Sequence, residues 1–386
     1  MKKKIVALAV AAAFSAPAFA DNANVTFYGK LIADVESVQS DKSTTPPFTA
    51  PATGASYTVN RVVSNASRFG LKGEEDLGGG LKAIYQIETQ VELGGGAATF
   101  TSVRNTGAGI KSDSFGTVMI ANWDTPYKLT HNKIELFDNT TFASATNLIG
   151  RSGAVAAVAT VNTAAAAASF VTRQSGVVQY HSPKFSGFDV KVAFAPAADT
   201  YAVANNAATK QNKSVFSLSG TFETEQLYVA AGYESHSDAL TANATHGTGS
   251  DTAMRVVGSF KVTDALWVGA TVERLSISSV DLAVNTAVKQ NTRTGFELVG
   301  GFKMGSNNLG VSFANQGDLG SAKDTGATQL SLRYGYDFSK RTQAFVMYSA
   351  LSNKAKGQYA LSAGQAIASA AGAKYSGFGA GLQHSF

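Results

Sequence analysis

The chain has 386 residues, a formal net charge of +5 and no cysteine, so disulfide stapling and thiolate chemistry are excluded. Thirty-eight glycines against seven prolines favour many strands and tight turns over disorder. Without the three lysines of the N-terminal leader, 29 basic and 27 acidic residues remain. This near balance does not indicate a nucleic-acid partner.

The first twenty residues have the layout of a secretory signal peptide. Three lysines precede an apolar run, residues 5–14, and the stretch ends in Ala-Phe-Ala at Ala20. That apolar run is shorter than the roughly 20 residues that a spanning helix needs. We therefore expect a signal peptide over residues 1–20 and one exported domain over residues 21–386.

The segment LKAIYQIETQVEL, residues 81–93, alternates between apolar and polar side chains. A period of two indicates a strand with one apolar and one wet face. Thirteen residues far exceed the roughly five or six of a usual soluble strand. The same alternation recurs in GFDVKVAF (187–194), SVFSLSGTF (214–222), FELVGGFKM (296–304) and TQLSLRYGYDF (328–338).

Short turns and long polar loops alternate between these strands. The short turns lie at residues 74–80, 112–116, 182–187, 223–226, 261–265, 304–308 and 337–342. The long loops lie at residues 40–56, 94–100, 196–212, 235–250, 277–290, 317–327 and 352–372. Short turns on one side and long loops on the other are typical of an outer-membrane barrel.

The predicted fold is all-β, a transmembrane antiparallel up-and-down β-barrel of about sixteen strands. The first strand is expected near Val25–Ser37 and the last near Lys374–Phe386. Closure is required because a sheet edge in lipid leaves backbone groups unpaired. A ring of this size encloses an aqueous channel. The alternative, a secreted soluble sandwich or solenoid, lacks a regular repeat to support it.

Several segments carry a resemblance to a known family. They are VTFYGKLIADVE, SRFGLKGEEDLGGGLKAIYQIE, FGTVMIANWDTPYK, QYHSPKFSGFDVKVAF and the terminal YSGFGAGLQHSF. Together they resemble Gram-negative general porins of the beta-proteobacterial and neisserial type. The resemblance implies a homotrimer, surrounded by outer-membrane lipid and lipopolysaccharide, that passes small hydrophilic solutes and ions. It also implies that Phe386 is part of the signal read by the barrel-assembly machinery, with His384 as a small departure.

In that family the third loop folds into the barrel and places acidic groups opposite a basic wall. Side-chain parity puts Lys30, Arg68, Lys72 and Arg173 on the lumen side. Arg104 resembles the pore arginine of a family strand. The expected basic wall is Lys30, Arg68, Arg104 and Arg173, with Lys72 and Arg333 as secondary lumen candidates.

The third loop is expected over residues 124–172, which is very long for a connection. Its segment NKIELFDNTT resembles the acidic tip of the family, so Glu135 and Asp138 are the expected acidic groups, with Asp124 as a weaker alternative. Leu136, Phe137 and Asn139 replace small residues of the family pattern. The alanine-rich stretch 154–169 fits either a helix or a low-complexity lining. Because four basic positions face two acidic ones, we expect a mild anion preference.

Two other functions fit the same barrel. An outer-membrane hydrolase would need a nucleophile beside a base, and of the five histidines only His131 lies on the expected inward loop. No spaced ligand cluster predicts a metal, and no cofactor is expected. A substrate-specific porin for a sugar or an organic anion is the nearer alternative. Trp267, Tyr334, Tyr336 and Tyr348 could form a sugar track or, as we prefer, lipid-interface aromatics.

Overall fold

The computed structural model describes residues 24–42, 56–93, 100–138, 141–155, 169–196, 213–237, 249–280, 288–361 and 370–386. The expected signal peptide and residues 156–168 of the alanine-rich stretch lie outside these ranges. Among the described residues, no helix has the length and apolar character to cross a membrane.

Twenty strands, one short helix and one 3-10 turn make up the described chain. The strands are β1 Asn24–Ser40, β2 Tyr57–Ser64, β3 Arg68–Gly78, β4 Leu81–Val91, β5 Phe100–Val103, β6 Thr106–Ser112, β7 Gly116–Asp124, β8 Ala154–Val155, β9 Arg173–His181, β10 Phe188–Ala195, β11 Val215–Glu223, β12 Leu227–His236, β13 Asp251–Lys261, β14 Leu266–Val280, β15 Val288–Met304, β16 Asn307–Gln316, β17 Ala327–Asp337, β18 Thr342–Asn353, β19 Gly357–Gln358 and β20 Lys374–Ser385. Helix α1 is Pro126–His131 and the 3-10 turn is Ala145–Asn147.

Eighteen of these strands form one closed antiparallel sheet. The sheet closes where β1 pairs with β20, from Lys30 opposite Ser385 to Ser40 opposite Tyr375. β2 and β3 both pair with β1, and β5 and β6 both pair with β4. Each of these pairs is one barrel strand with a short interruption, so the barrel has sixteen strands. The predicted barrel and strand number are confirmed, and the first and last strands end within three residues of expectation.

The short connections occur where turn chemistry predicted them. Between β3 and β4, Gly78, Gly79 and Gly80 have φ of 81°, 60° and 78°. These left-handed conformations strain most L-residues but not glycine, so the glycine run reverses the chain within two residues. By the usual asymmetry of such barrels, this end faces the periplasm.

The two faces of the sheet differ in chemistry as the alternation predicted. Large apolar side chains such as Phe27, Ile120 and Leu298 are exposed on the outer face. The exposed Tyr334, Tyr336 and Tyr348 share the parity of their apolar neighbours. Polar side chains such as Gln179, Glu273 and Gln329 are buried on the inner side.

A hydrophobic cluster joins the segment after α1, residues 132–138 and 141–151, to side chains of the barrel wall. Phe137, Phe142, Leu148 and Ile149 are buried against wall residues that include Ile32, Val38, Phe345 and Met347. Gly377 and Gly379 of β20 make room for one of these rings, since a Cβ at either position would lie under 3.0 Å from Phe142. The segment therefore packs against strands at both ends of the chain.

Candidate functional site

One group of charged side chains lines the wall formed by β1 to β6. Glu88 of β4 receives hydrogen bonds from Arg104 Nε at 2.7 Å and from Tyr28 OH at 3.0 Å. Arg68 Nε lies 3.7 Å from the same carboxylate. Two of the expected wall arginines thus share one glutamate, and Arg68 keeps 27% of its side chain exposed against 9% for Arg104.

Asp138 connects the segment after α1 to the wall at β1 and β17. Lys30 Nζ donates to Asp138 Oδ1 at 2.9 Å, and an Arg333 guanidinium nitrogen lies 4.0 Å from Oδ2. Arg333 also donates to the carbonyl of Leu136 at 2.7 Å. Asp138 has φ of 52°, a left-handed conformation that Asp and Asn tolerate better than most residues. The structure thus brings one expected acidic residue to one expected basic residue.

A third group lies where β7 ends and α1 begins. Asp124 receives a hydrogen bond from Lys128 Nζ at 2.6 Å and lies 3.4 Å from Arg173 Nε. Asn105 bridges the two, because it donates to Asp124 at 3.1 Å and accepts from Arg173 at 2.7 Å. Burial lowers the pKa of Lys128, while the Asp124 carboxylate opposes the shift. Asp124, the weaker acidic candidate, is the partner of Arg173.

Glu135, the other expected acidic residue, occupies a different environment. Its side chain is buried, accepts from Ser144 Oγ at 2.9 Å and from the Phe137 amide at 2.8 Å, and lies 3.8 Å from His131 Nδ1. Burial raises its pKa, and the nearby His131 opposes that rise. None of its described contacts is to the basic wall.

His131 lies in the same buried group. Its Nε2 is 2.6 Å from Glu297, which also accepts from Ser312 at 2.7 Å. The histidine is 1% exposed and has no hydroxyl nucleophile among its described hydrogen-bond partners. It fastens α1 to β15.

Glu273 of β14 also binds α1 and the segment after it to the wall. Its carboxylate accepts from Tyr127 OH at 2.9 Å, the Gly150 amide at 2.7 Å, Gln316 at 2.7 Å and Arg255 at 2.8 Å. The Arg255 guanidinium also stacks 4.2 Å from the Tyr127 ring. Such a buried ion pair is tolerated because every carboxylate lone pair has a donor.

Several of these partners were not singled out by the sequence. Glu88 has the inward parity of β4, which the alternation of residues 81–93 shows, but its two arginine partners lie on other strands. Lys128 lies on α1 and follows Asp124, the last residue of β7, by four residues, so their ion pair depends on how the chain turns from the strand into the helix. Tyr28 and Asn105 have no local signal, because their roles depend on strand neighbours.

The charged side chains of these groups can attract ions and discriminate between anions and cations. The described part of the chain offers no set of metal ligands. Within those ranges, no group of three or more His, Cys, Asp or Glu side chains could hold a metal ion. Six cations lie within 4.0 Å of three carboxylates, Glu88, Asp124 and Asp138: they are Lys30, Arg68, Arg104, Lys128, Arg173 and Arg333.

Comparison with known proteins agrees with this architecture. A family model described as Gram-negative porin matches residues 7–356. The chain is 27% identical to the major outer membrane protein P.IB of Neisseria lactamica, covering 90% of this chain and 92% of that protein. It is also 27% identical to P.IA of Neisseria meningitidis serogroup C, covering 90% and 93%. The solved anion-selective porin from Comamonas acidovorans has a TM-score of 0.71 at 20% identity, covering 95% of this chain and all of that one.

Proposed function

The chain belongs to the Gram-negative porin family and is an outer-membrane channel rather than an enzyme, and on this premise we propose how its interior selects solutes. Residues 125–138 and 141–151 form the acidic side of a constriction through Asp138, and the barrel strands β1 to β7 and β9 form the basic side. Small hydrophilic solutes and ions pass between the two by passive diffusion.

The observation that carries this proposal is the ion pair between Lys30 and Asp138 at 2.9 Å. It joins β1 to a segment that also contacts β14, on another part of the wall, through Tyr127 and Gly150. A chain that contacts both β1 and β14 from within narrows the interior. The free cross-section then lies beside Arg68 and Arg173, whose side chains are 27% and 23% exposed.

Charge at this section favours anions. Glu88, Asp124 and Asp138 each have at least one cationic partner, and six cations lie within 4.0 Å of these three carboxylates. Arginine keeps its charge at any relevant pH, so Arg68, Arg104, Arg173 and Arg333 are fixed positive charges at this section. A ring of fixed positive charge biases entry towards anions. The solved anion-selective porin of the same fold is consistent with that sign.

Assembly follows the family pattern in this proposal. Gram-negative porins are generally trimeric, and we extend that state to this chain. The leader 1–20 directs export, Phe386 carries the signal read by the barrel-assembly machinery, and the outer apolar face meets lipid and lipopolysaccharide. Glu135 acts by holding the constricting segment in place, whereas Asp138 faces the basic wall.

The test is conductance of the purified protein in a planar bilayer under a KCl gradient. Ohmic insertions that close in three equal steps and a reversal potential of anionic sign are expected. The double variant Arg68→Gln/Arg104→Gln leaves Glu88 without its two cations and should move the reversal potential towards cation preference. Lys303→Gln, which removes an exposed lysine near a short turn, is the matched control. A cation-selective wild type, or equal shifts in both variants, contradicts the proposed constriction.

A further inference from the structure

A recess of about 550 Å³ opens in the inner wall between the arginine groups and the short turns. It is lined by side chains of β1, β3, β4, β6, β7 and β9, which include Lys72, Ile84, Lys111, Met119 and Trp123. Its volume falls within the roughly 300–1,000 Å³ of small-molecule sites. Lys72 follows Arg68 by four residues along β3, so the recess lies on the periplasmic side of the constriction.

The lining departs from the chemistry expected of a water-filled lumen. Ile84 lies on the polar parity of its strand, between Lys82 and Gln86. Met119 and Trp123 likewise face the interior, where they pack with Ala121 and Val177. These apolar side chains supply most of the exposed surface of the recess, although Glu74, Gln86 and His181 also line it. Apolar side chains on the wet face of a barrel strand do not serve the lipid contact that explains apolar residues on the outer face.

Lys72, which lines the recess, has no carboxylate partner among the described residues. Lys72 is exposed, and its Nζ lies 5.5 Å from the centroid of the Tyr28 ring. Within the described ranges, no carboxylate forms an ion pair with Lys72, whereas the second lysine of the recess, Lys111, lies 3.8 Å from Glu74, which also lines the recess. Glu74 is itself held by Lys82. Lys72 is therefore free to meet an anionic group.

We propose that this recess is a binding site for small aromatic carboxylates. The carboxylate pairs with Lys72, and the ring lies against Trp123, Met119 and Ile84. An inorganic anion would leave the apolar side chains without a partner, and a neutral sugar would leave Lys72 without a counter-charge. The proposal rests on the channel function above, since the ligand reaches the recess only through the lumen.

The proposal predicts solute-specific block of an otherwise ohmic channel. Benzoate should reduce the single-channel current saturably, at a half-blocking concentration about tenfold lower than that of acetate, because the ring adds apolar burial. Benzyl alcohol, which keeps the ring and lacks the charge, should block weakly. Equal block by benzoate and acetate overturns the site while leaving the channel function intact; absence of conductance overturns the channel function instead.

Variants separate the two halves of the site. Lys72→Gln should raise the half-blocking concentration of benzoate roughly threefold, the size expected of one solvent-exposed ion pair, and Lys72→Arg should retain block. Trp123→Ala should raise it roughly tenfold. Lys303→Gln removes a comparable lysine outside the recess and should leave block unchanged. The exposed position of Lys72 makes its variants safe for folding, so unchanged block in Lys72→Gln counts against the proposal even if Trp123→Ala does not fold.

Discussion

Neutralising Asp138 should strengthen the anion preference, and neutralising Lys30 should weaken it. Asp138→Asn leaves Lys30 and Arg333 without the carboxylate that lies 2.9 Å and 4.0 Å from them. Asparagine tolerates the left-handed backbone that Asp138 adopts at φ of 52°, so the turn is retained. The change is one unit of positive charge added to the constriction.

The expected magnitude follows from Coulomb's law. A unit charge acting on an ion about 5 Å away in water contributes about 0.8 kcal/mol. With a Debye length of about 10 Å at 0.1 M salt, screening reduces this to about 0.5 kcal/mol. Chloride gains and potassium loses that amount, so the chloride-to-potassium permeability ratio should rise about fivefold. Lys30→Gln should lower the ratio by a similar factor.

The assay is the reversal potential under a KCl gradient with about 0.1 M salt on the dilute side, where screening is modest. Asp264→Asn, in the exposed turn between β13 and β14, removes a carboxylate far from the constriction and is the control. Shifts of the same sign in Asp138→Asn and Lys30→Gln would refute the reasoning, as would shifts no larger than that of Asp264→Asn.

Three further outcomes are expected. Glu273→Gln leaves Arg255 buried without a counter-charge, which should destabilise the folded barrel by about 3–5 kcal/mol; an unchanged thermal midpoint would show that the network is not needed. Phe386→Ala should lower the yield of folded protein in the outer membrane more than the yield of refolding in detergent, because the second assay needs no assembly machinery; equal losses would indicate a purely structural role for the Phe386 contact with Gly29. Glu135 has a pKa raised above the usual 4.5, so its native form binds protons more readily than the unfolded chain. Stability should therefore fall as pH rises from 4.5 towards the folded-state pKa, and Glu135→Gln should flatten that decline in thermal melts.

The strand pattern was available from the sequence because its cause is local. Each barrel strand contacts lipid on one face and water on the other, so LKAIYQIETQVEL alternates between apolar and polar residues over thirteen positions. β4 ends at Val91, two residues earlier than the alternation suggested, beside a shift in its register with β5. The turn at residues 78–80 could be predicted for the same reason, since a left-handed backbone favours glycine at the position that adopts it.

By itself, then, the sequence determined the barrel, its strands, its turns and the inward parity of Lys30, Arg68 and Arg173. Only the tertiary structure decided which charges meet. Arg68 and Arg104 lie on different barrel strands and share Glu88 of the strand between them, while Asp138 and Lys30 are 108 residues apart. The alternation predicts on which side of the sheet a side chain lies. Its ion-pair partner depends on the register between strands and on the path of the segment after α1. That path is why Asp138 reaches the wall while Glu135, three residues earlier, is buried beside His131.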